Sequence, residues 1–382
     1  MNRTKSINCV RSANRTNVSA DSGVSHQRGA RKVGSAARFA AAAALGVTAL
    51  LGASAAFADD PMPAVSVGAG MRTSFAADKP DGGKESDDFT LNSIRLYVSG
   101  SVTNNIKFTF NTEYSGDVDD KVKVMDAIAR FEFSDEVNFW AGRFLPPSDR
   151  ANLHGPYYAN EWSTYIDGVQ DGYANVAVGR DDGAMYWGQF FNDMLSLSAG
   201  VFSVPSTFGT SNVVYAERAQ VDLWDPEKGY YLNGTYYGDK DILALGVAAQ
   251  QLSKKNAYSV DFLMEKKLGD MGMVSVQGEY AKYEFGGYEG NTSDGGFGLV
   301  SYLFPQVVGI GKFEVLAKYS KATYDFDEGS IGQKTKIFEI GYIIKEFNAR
   351  ISLFYNDIDF DENLVEGPAN YKVYGIGVQL QM

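Results

Sequence analysis

Apolar and polar residues alternate one by one along most of the chain from residue 64 onward. In residues 374–382 every second residue is apolar, and the residues between them are glycine or glutamine. Residues 94–99 and 106–111 follow the same rule. Successive side chains of a β-strand point to opposite faces, so each stretch predicts a strand with one apolar and one polar face.

Seventeen segments of this kind can be counted: 64–75, 89–101, 104–114, 122–133, 136–144, 182–191, 194–203, 214–224, 229–237, 242–251, 257–267, 272–285, 295–304, 311–325, 333–345, 347–358 and 370–382. Alternating segments of about ten residues are typical of a transmembrane β-barrel, which has an even number of strands when both ends of the chain lie on the same side. Treating 214–237 as one strand with a bulge or partial loop at Pro226 gives sixteen strands. If 214–237 is instead kept as two strands and 172–179 is added to the seventeen segments, the count is eighteen. We predict an all-β, antiparallel transmembrane barrel of sixteen strands, with eighteen as the alternative.

A soluble β-sandwich remains the competing fold, because its half-buried strands alternate too. Segments 272–285 and 311–325 are long for a soluble sheet, and aromatic residues cluster near segment ends, as in interfacial girdles. Short turns also alternate with longer polar connections, which is typical of membrane barrels. These features favour the barrel.

The polar face of the strands carries many charged residues. Charged side chains at mid-depth on a lipid-facing surface are costly, so we expect these residues to face a water-filled lumen. The set consists of Arg95, Lys107, Glu113, Asp126, Arg130, Glu132, Arg218, Glu279, Lys312, Glu314, Lys318, Glu339 and Arg350.

Residues 143–182 are the one long interruption of the pattern. Loops of this length are uncommon unless they are functional or disordered, and the aromatic residues Tyr157, Tyr158, Trp162, Tyr165 and Tyr173 argue against disorder. We expect a loop that folds into the barrel and narrows a pore. Its acidic residues Glu161, Asp167 and Asp171 could then face arginines of the wall and set selectivity. The alternative is an outer-surface loop with solvated or cation-binding acids.

The N-terminal residues 1–58 predict a secretory signal peptide followed by the mature domain 59–382. A basic region precedes an apolar run and an Ala-Phe-Ala ending at Ala58. Residues 1–58 hold eight of the 35 basic residues, one of the 47 acidic residues and the only cysteine, Cys9, so the mature chain has a net charge of −19 and no disulfide. Such an acidic chain is a poor partner for nucleic acid.

The alternating strands, together with four stretches, resemble the porin O/P family of Gram-negative outer-membrane porins. The stretches are GRFLPPSDRANLHGPYY (142–158), RDDGAMYWGQFFNDMLSLSAGVF (180–202), DPEKGYYLNGTYYGDKDILALG (225–246) and YSVDFLMEKKLGDMGMVSVQGEY (258–280). The resemblance implies a homotrimer of sixteen-stranded barrels in outer-membrane lipid, each with its third loop in the pore. It also implies recognition of the C-terminal strand by the barrel-assembly machinery.

Two departures from that family matter. Its phosphate-selective members use a ladder of arginines and a lysine cluster, whereas the mature chain here has only eight arginines and a large acidic excess. Arg95, Arg130, Arg143, Arg218 and Arg350 could still form a partial basic strip. The chain also ends in Met382 where such porins end in an aromatic residue. We therefore expect a channel without strong phosphate selectivity.

The sequence predicts a porin for passive diffusion of small hydrophilic solutes and ions, with no enzymatic activity. Alternatives are a substrate-specific channel for anions, phosphate or small organic solutes, a non-conducting structural or adhesive barrel, and an outer-membrane hydrolase using His154. No motif for a metal, phosphate or cofactor site stands out, so no cofactor is expected. The predicted lining and constriction residues are Arg95, Lys107, Glu113, Asp126, Arg130, Arg143, Glu161, Asp167, Asp171, Arg218, Lys318 and Arg350.

Overall fold

The computed structural model describes residues 65–114, 122–164, 180–203, 213–284, 292–326, 329–361 and 369–382. The predicted signal peptide, residues 1–58, lies outside the described residues. The strands β1 to β16 are Val65–Pro80, Ser86–Ser101, Ile106–Tyr114, Val122–Glu132, Asn138–Phe144, Asp181–Phe190, Leu195–Phe202, Val214–Asp222, Ile242–Leu252, Lys255–Lys267, Met273–Tyr283, Ser293–Val308, Gly311–Phe326, Gly329–Lys345, Ala349–Asp361 and Tyr371–Gln381.

These sixteen strands form one closed antiparallel barrel in which each strand pairs with its neighbours in sequence and β1 pairs with β16. The predicted count of sixteen is confirmed, and the alternative of eighteen is wrong. We call the end of the barrel that holds Val65 and Met382 the base, and the opposite end the rim. Because the strands alternate in direction, connections after odd-numbered strands lie at the rim.

The alternation of the sequence sorts the side chains between the two faces of the wall. Val300, Val315, Phe338 and Leu353 point outward and are exposed, each by 40% or more. The side chains between them point into the barrel. Outward-facing tyrosines lie toward the strand ends on many of the later strands, among them Tyr258, Tyr280, Tyr302, Tyr342 and Tyr374. An apolar band with aromatic residues at its edges is typical of barrels that face lipid.

The strand predicted over residues 214–237 is shorter in the structure. Segment 214–237 is not a single irregular strand, because β8 ends at Asp222 and residues 223–241 have no strand structure. Pro226 lacks the N–H needed for a sheet ladder, and Gly229 has a φ of 93°, a conformation that L side chains rarely adopt. We call residues 223–241, which join β8 to β9 at the base, the β8–β9 segment.

Helical structure is sparse. The described part of the chain contains helix α1, Arg150–His154, and a single 3-10 turn, Gly269–Met271. Among the described residues, no helix is long and apolar enough to cross a membrane. Helix α1 belongs to the connection between β5 and β6, residues 145–180, which we call the third loop. Residues 145–164 of this loop lie inside the barrel, as the contacts below show.

Candidate pore constriction

The third loop enters the barrel at the rim and is fixed first through α1. Asp149 is the N-cap of this helix, and its side chain accepts a hydrogen bond from Asn152 N at 2.8 Å. Its other carboxylate oxygen accepts a hydrogen bond from Tyr283 Oη of β11 at 2.9 Å. The backbone N–H of Ala151 donates to Glu279 Oε2 at 3.1 Å. Wall carboxylates therefore satisfy N–H groups that a helix start leaves unpaired.

Two arginines surround this helix start. Arg218 of β8 holds Asp261 of β10 through two hydrogen bonds of 2.6 and 2.9 Å, and it also donates to Ser148 O at 3.0 Å. Arg150 binds Glu227 of the β8–β9 segment at 2.5 and 2.9 Å. Both pairs are bidentate, the geometry that gives guanidinium–carboxylate contacts their strength and direction. They link the third loop to the wall and to the β8–β9 segment.

The loop then follows the inner wall past β12. Lys318 of β13 binds Glu161 at 2.6 Å, and both side chains are at most 1% exposed. Glu339 of β14 accepts from Trp162 N at 2.8 Å. Arg350 of β15 donates to Ala159 O and Asn160 O at 2.8 and 2.9 Å. β13, β14 and β15 thus each contribute one charged side chain that holds the loop, Lys318 through the Glu161 side chain and the other two through the loop backbone.

The far end of the described loop reaches the junction of β16 and β1. Gln379 of β16 donates to Tyr157 O at 2.8 Å, and Arg72 of β1 donates to Trp162 O at 2.6 Å. Gly70 makes room for this contact, because a Cβ there would lie 2.7 Å from the Tyr157 ring. The loop backbone is therefore in contact with the wall from β8 round to β1. We call the inward faces of β8–β16 the packed wall.

The inward faces of β2, β3 and β4 are different, and we call them the open wall. Arg95 binds Glu113 at 2.8 Å, and Glu132 binds both Lys107 at 2.9 Å and Arg130 at 2.7 Å. The side chains of Lys107 and Arg130 keep 34% and 26% of their surface exposed, against 0% for Lys318. Water therefore reaches Lys107 and Arg130 of the open wall but not Lys318 of the packed wall, and within the open wall Arg95 and Asp126 are only 8% and 2% exposed.

Asp126 is the point where three elements meet at the open wall. It accepts hydrogen bonds from Asn111 of β3 at 2.7 Å and from Arg180, the last residue of the third loop, at 2.6 Å. Tyr231 of the β8–β9 segment points its hydroxyl at the same carboxylate, at 3.4 Å. The open wall is thus bounded on one side by this cluster.

Charge inside the third loop is balanced by local contacts. Burial by itself would raise the pKa of Glu161, but Lys318 and His154 nearby hold that pKa below its ordinary value. Burial lowers the pKa of His154 to about 4, so its imidazole is neutral at pH 7. Burial raises the pKa of Asp149, against the opposing effect of its hydrogen bonds from Asn152 and Tyr283.

The structure divides the predicted site residues into groups. Arg95, Lys107, Glu113, Asp126 and Arg130 lie together on the open wall, with Glu132 beside them. Arg218, Lys318 and Arg350 do point inward, but the third loop covers them, as it covers Glu279 and Glu339. Glu314 also points inward and is buried. Asp167 and Asp171 lie outside the described residues.

Two expectations are corrected. Arg143 lies on the outer surface, on the face of β5 shared with Phe139 and Ala141, where it pairs with exposed Asp182 at 2.6 Å. Glu161 does not present its charge to an opening, because it is buried against Lys318. Aromatic residues lie on both faces of β5, with Phe139 on one face and Trp140 and Phe144 on the other. Alternation alone therefore does not show that Arg143 faces outward.

Sequence reasoning missed Arg72, Arg180, Glu227 and Asp261. Alternation along β1 and β10 would have placed Arg72 and Asp261 on the inward face. No local pattern indicates that Glu227 or Arg180 enters the lumen, because each does so through contacts with residues distant in sequence.

The arrangement around His154 bears on the hydrolase alternative. The Nδ1 atom of His154 hydrogen-bonds to Gly155 O at 2.9 Å, so this nitrogen carries the proton. Asp149 caps α1 and binds Tyr283, and so does not orient the imidazole. A nucleophilic triad needs a carboxylate or amide that holds the histidine beside a serine. Among the described residues, no group of three or more His, Cys, Asp or Glu side chains is placed to hold a metal ion.

Several solved structures of outer-membrane proteins have a similar architecture. An anion-selective porin from Comamonas acidovorans superposes with a TM-score of 0.56 at 12% identity, over 84% of this chain and 100% of that one. The fold is a porin fold. The outer-membrane protein OmpT of Vibrio cholerae gives a TM-score of 0.53 at 12% identity, over 85% of this chain and 99% of that one. The outer-membrane channel DcaP of Acinetobacter baumannii gives 0.51 at 13%, over 86% and 100%. The sequence matches no protein-family model and no curated protein.

Proposed function

We propose that the protein is a porin that lets small hydrophilic solutes and ions diffuse passively along its open wall. The single observation that carries this proposal is the contrast in burial between the two walls. Partly exposed Lys107 and Arg130 face the lumen on β3 and β4, whereas Lys318 and Arg350 are covered by the third loop. A barrel of sixteen strands is wide enough to hold both a folded-in loop and an aqueous passage.

The location follows from the outer surface and the predicted leader. An apolar outer band edged by tyrosines suits a lipid bilayer, and residues 1–58 would direct export, which together support the Gram-negative outer membrane. The base would then face the periplasm and the rim the outside. A homotrimer, insertion through the C-terminal strand by the barrel-assembly machinery, and membership of the porin O/P family belong to the same proposal.

The proposed channel has weak ion selectivity. Along the open wall the basic side chains of Arg95, Lys107, Arg130 and Arg180 alternate with the acidic side chains of Glu113, Asp126 and Glu132. Near-balanced charge gives no strong field of one sign, although pore-lining charge sets selectivity. This balance also supports the absence of strong phosphate selectivity. Glu132 shared between two cations is the observation that favours the alternative of an anion-preferring channel.

Single-channel recording in planar bilayers tests the proposal. The purified protein should give discrete conductance steps, and a salt gradient should give a reversal potential near zero. A protein that inserts but never conducts would contradict the pore and favour a structural or adhesive barrel. A reversal potential close to the anion limit would contradict weak selectivity while leaving the channel intact.

A further inference from the structure

The β8–β9 segment does not stay at the base as a turn but folds back into the barrel. Three residues of the segment converge on one wall carboxylate, Glu265 of β10, which is fully buried. It accepts hydrogen bonds from Thr235 Oγ1 and Tyr236 N, both at 2.8 Å, and from Gly238 N at 2.7 Å. Such convergence fixes the returning half of the segment to the inner wall.

The outgoing half is fixed by a second buried carboxylate. Glu227 is 1% exposed and binds Arg150 of the third loop. It also accepts hydrogen bonds from Gln220 Nε2 at 2.9 Å and from Tyr236 Oη at 2.8 Å. Its own N–H donates to Asp222 at 2.8 Å. A charged group at this depth is retained only when its partners satisfy it, so Glu227 is part of a built site.

The segment and the third loop are also joined through their backbones. Gly234 N donates to Tyr158 O at 2.8 Å, and Arg150 donates to Asn233 O at 3.0 Å. Tyr230 Oη donates to Leu145 O at 2.7 Å. The two chains approach so closely that a Cβ on Gly234 would lie 2.8 Å from Asn160 N. The rim-side loop and the base-side segment therefore form one block.

Tyr231 is the residue of the β8–β9 segment that contacts the open wall at Asp126, whereas Tyr157 of the third loop contacts Ser93 and Arg95 on β2. Its neighbours Tyr230 and Leu232 are buried at 7% and 6% exposure, whereas Tyr231 is only half-buried. Its ring packs beside Trp140 at 5.9 Å between centroids, and its hydroxyl lies 3.4 Å from Asp126. The Asp126 carboxylate beside this hydroxyl is also bound by Arg180 at 2.6 Å.

We infer that the constriction of this channel is assembled from both ends of the barrel, with the β8–β9 segment as its second element, and that Tyr231 sets the width of the passage. This inference rests on the proposed channel function. It assigns the size limit of the passage to a residue of the base-side connection, not only to the third loop. The Tyr231 ring and the Asp126–Arg180 pair then bound the passage at its edge.

A size series at position 231 tests this assignment by single-channel conductance. Tyr231→Ala should raise conductance roughly 1.5-fold or more and Tyr231→Trp should lower it, because the size of the side chain changes. Tyr231→Phe keeps the ring and loses only the hydroxyl contact of 3.4 Å with Asp126, so it should leave conductance unchanged. The matched control is Tyr215→Ala, since Tyr215 is 53% exposed on the outward face of β8. Equal conductance in Ala, Phe and Trp variants that carry current would overturn the inference.

Cysteine labelling gives a second readout that does not depend on volume. Residues 59–382 contain no cysteine, so Tyr231→Cys introduces a single thiol into the predicted mature chain. A bulky charged thiol reagent should reduce the current of Tyr231→Cys at least roughly twofold and leave Tyr215→Cys unaffected. A current that is unchanged after labelling confirmed by mass would overturn the inference. If the unsubstituted protein itself carries no current, the proposed function fails, which is a separate result.

Discussion

The open wall and the packed wall are built from the same strand pattern, yet their charged residues differ in exposure. Lys107 and Lys318 both occupy inward positions of alternating strands, and both bind a glutamate within 3 Å. The side chain of Lys107 is 34% exposed, whereas that of Lys318 is fully covered by the third loop. An inward-facing side chain is therefore not always exposed to the lumen. Whether it is exposed depends on whether the third loop covers it.

The ion pairs of the two walls also differ in their contribution to the stability of the protein. A partly exposed ion pair contributes about 0–1 kcal/mol, because water competes with it. A buried pair costs desolvation, and loss of one partner leaves an uncompensated charge that costs about 3–5 kcal/mol. The packed wall should thus be sensitive in stability and the open wall in permeation.

The largest effect is expected for the two lysines compared directly. Lys318→Met keeps the side-chain volume but leaves Glu161 buried without its cation, which should cost about 3–5 kcal/mol. Lys107→Met is the matched variant on the open wall and should cost about 0–1 kcal/mol. The midpoints of thermal unfolding in detergent measure both. Similar midpoints for the two variants would remove the distinction between the walls.

Acid should weaken the docking of the third loop. The pKa of His154 is about 4 in the folded protein, below its ordinary value of 6.5, so its contribution to stability is complete above pH 6.5 and is lost as the pH falls toward 4. The total is about 3 kcal/mol. His154→Gln removes this titration. The difference in unfolding midpoint between the two proteins should change between pH 6.5 and 4; a constant difference would contradict a buried neutral imidazole.

Steric fit between loop and wall gives an intermediate effect. Gly70→Ala places a Cβ 2.7 Å from the Tyr157 ring and should destabilise the protein by about 1–3 kcal/mol. Gly298→Ala is the control, because nothing lies within 4 Å of a Cβ at that outward position. Its midpoint should stay the same or rise. Equal behaviour of the two variants would mean that Tyr157 does not press against β1.

Open-wall substitutions should change permeation with the smallest change in stability. Lys107→Gln combined with Arg130→Gln removes the two cations that share Glu132. The permeability ratio of anion to cation should fall roughly two- to fivefold at low salt and less at high salt, because added ions screen the remaining charge. Arg143→Gln on the outer surface is the control. A reversal potential that shifts equally in both proteins would place the passage elsewhere.

Strand alternation predicted the barrel well because the inward or outward choice is made locally, residue by residue. This pattern alone predicts that Arg95, Lys107, Glu113, Asp126 and Arg130 face the lumen. The entry of a third loop after β5 was also predictable, since prolines and a long aromatic stretch interrupt the alternation there. These features need no knowledge of the rest of the chain.

Tertiary contacts account for what alternation could not supply. Residues 229–237 resemble a strand in sequence, but Tyr230 and Leu232 are buried by the third loop and by Trp140, not by a sheet neighbour. The burial of Lys318 and Arg350 likewise depends on a loop more than 150 residues away in sequence. A local pattern carries no information on such partners.

The junction of β1 and β16 has a consequence for how the molecule is assembled. Arg72 and Gln379 are direct partners across this junction, and each holds a carbonyl of the third loop. These two anchors lie side by side only after the first and last strands have paired. Contacts this distant in sequence form late, because chain entropy opposes them until the intervening structure is in place. We therefore expect the loop to reach its final docked position only after the first and last strands have paired.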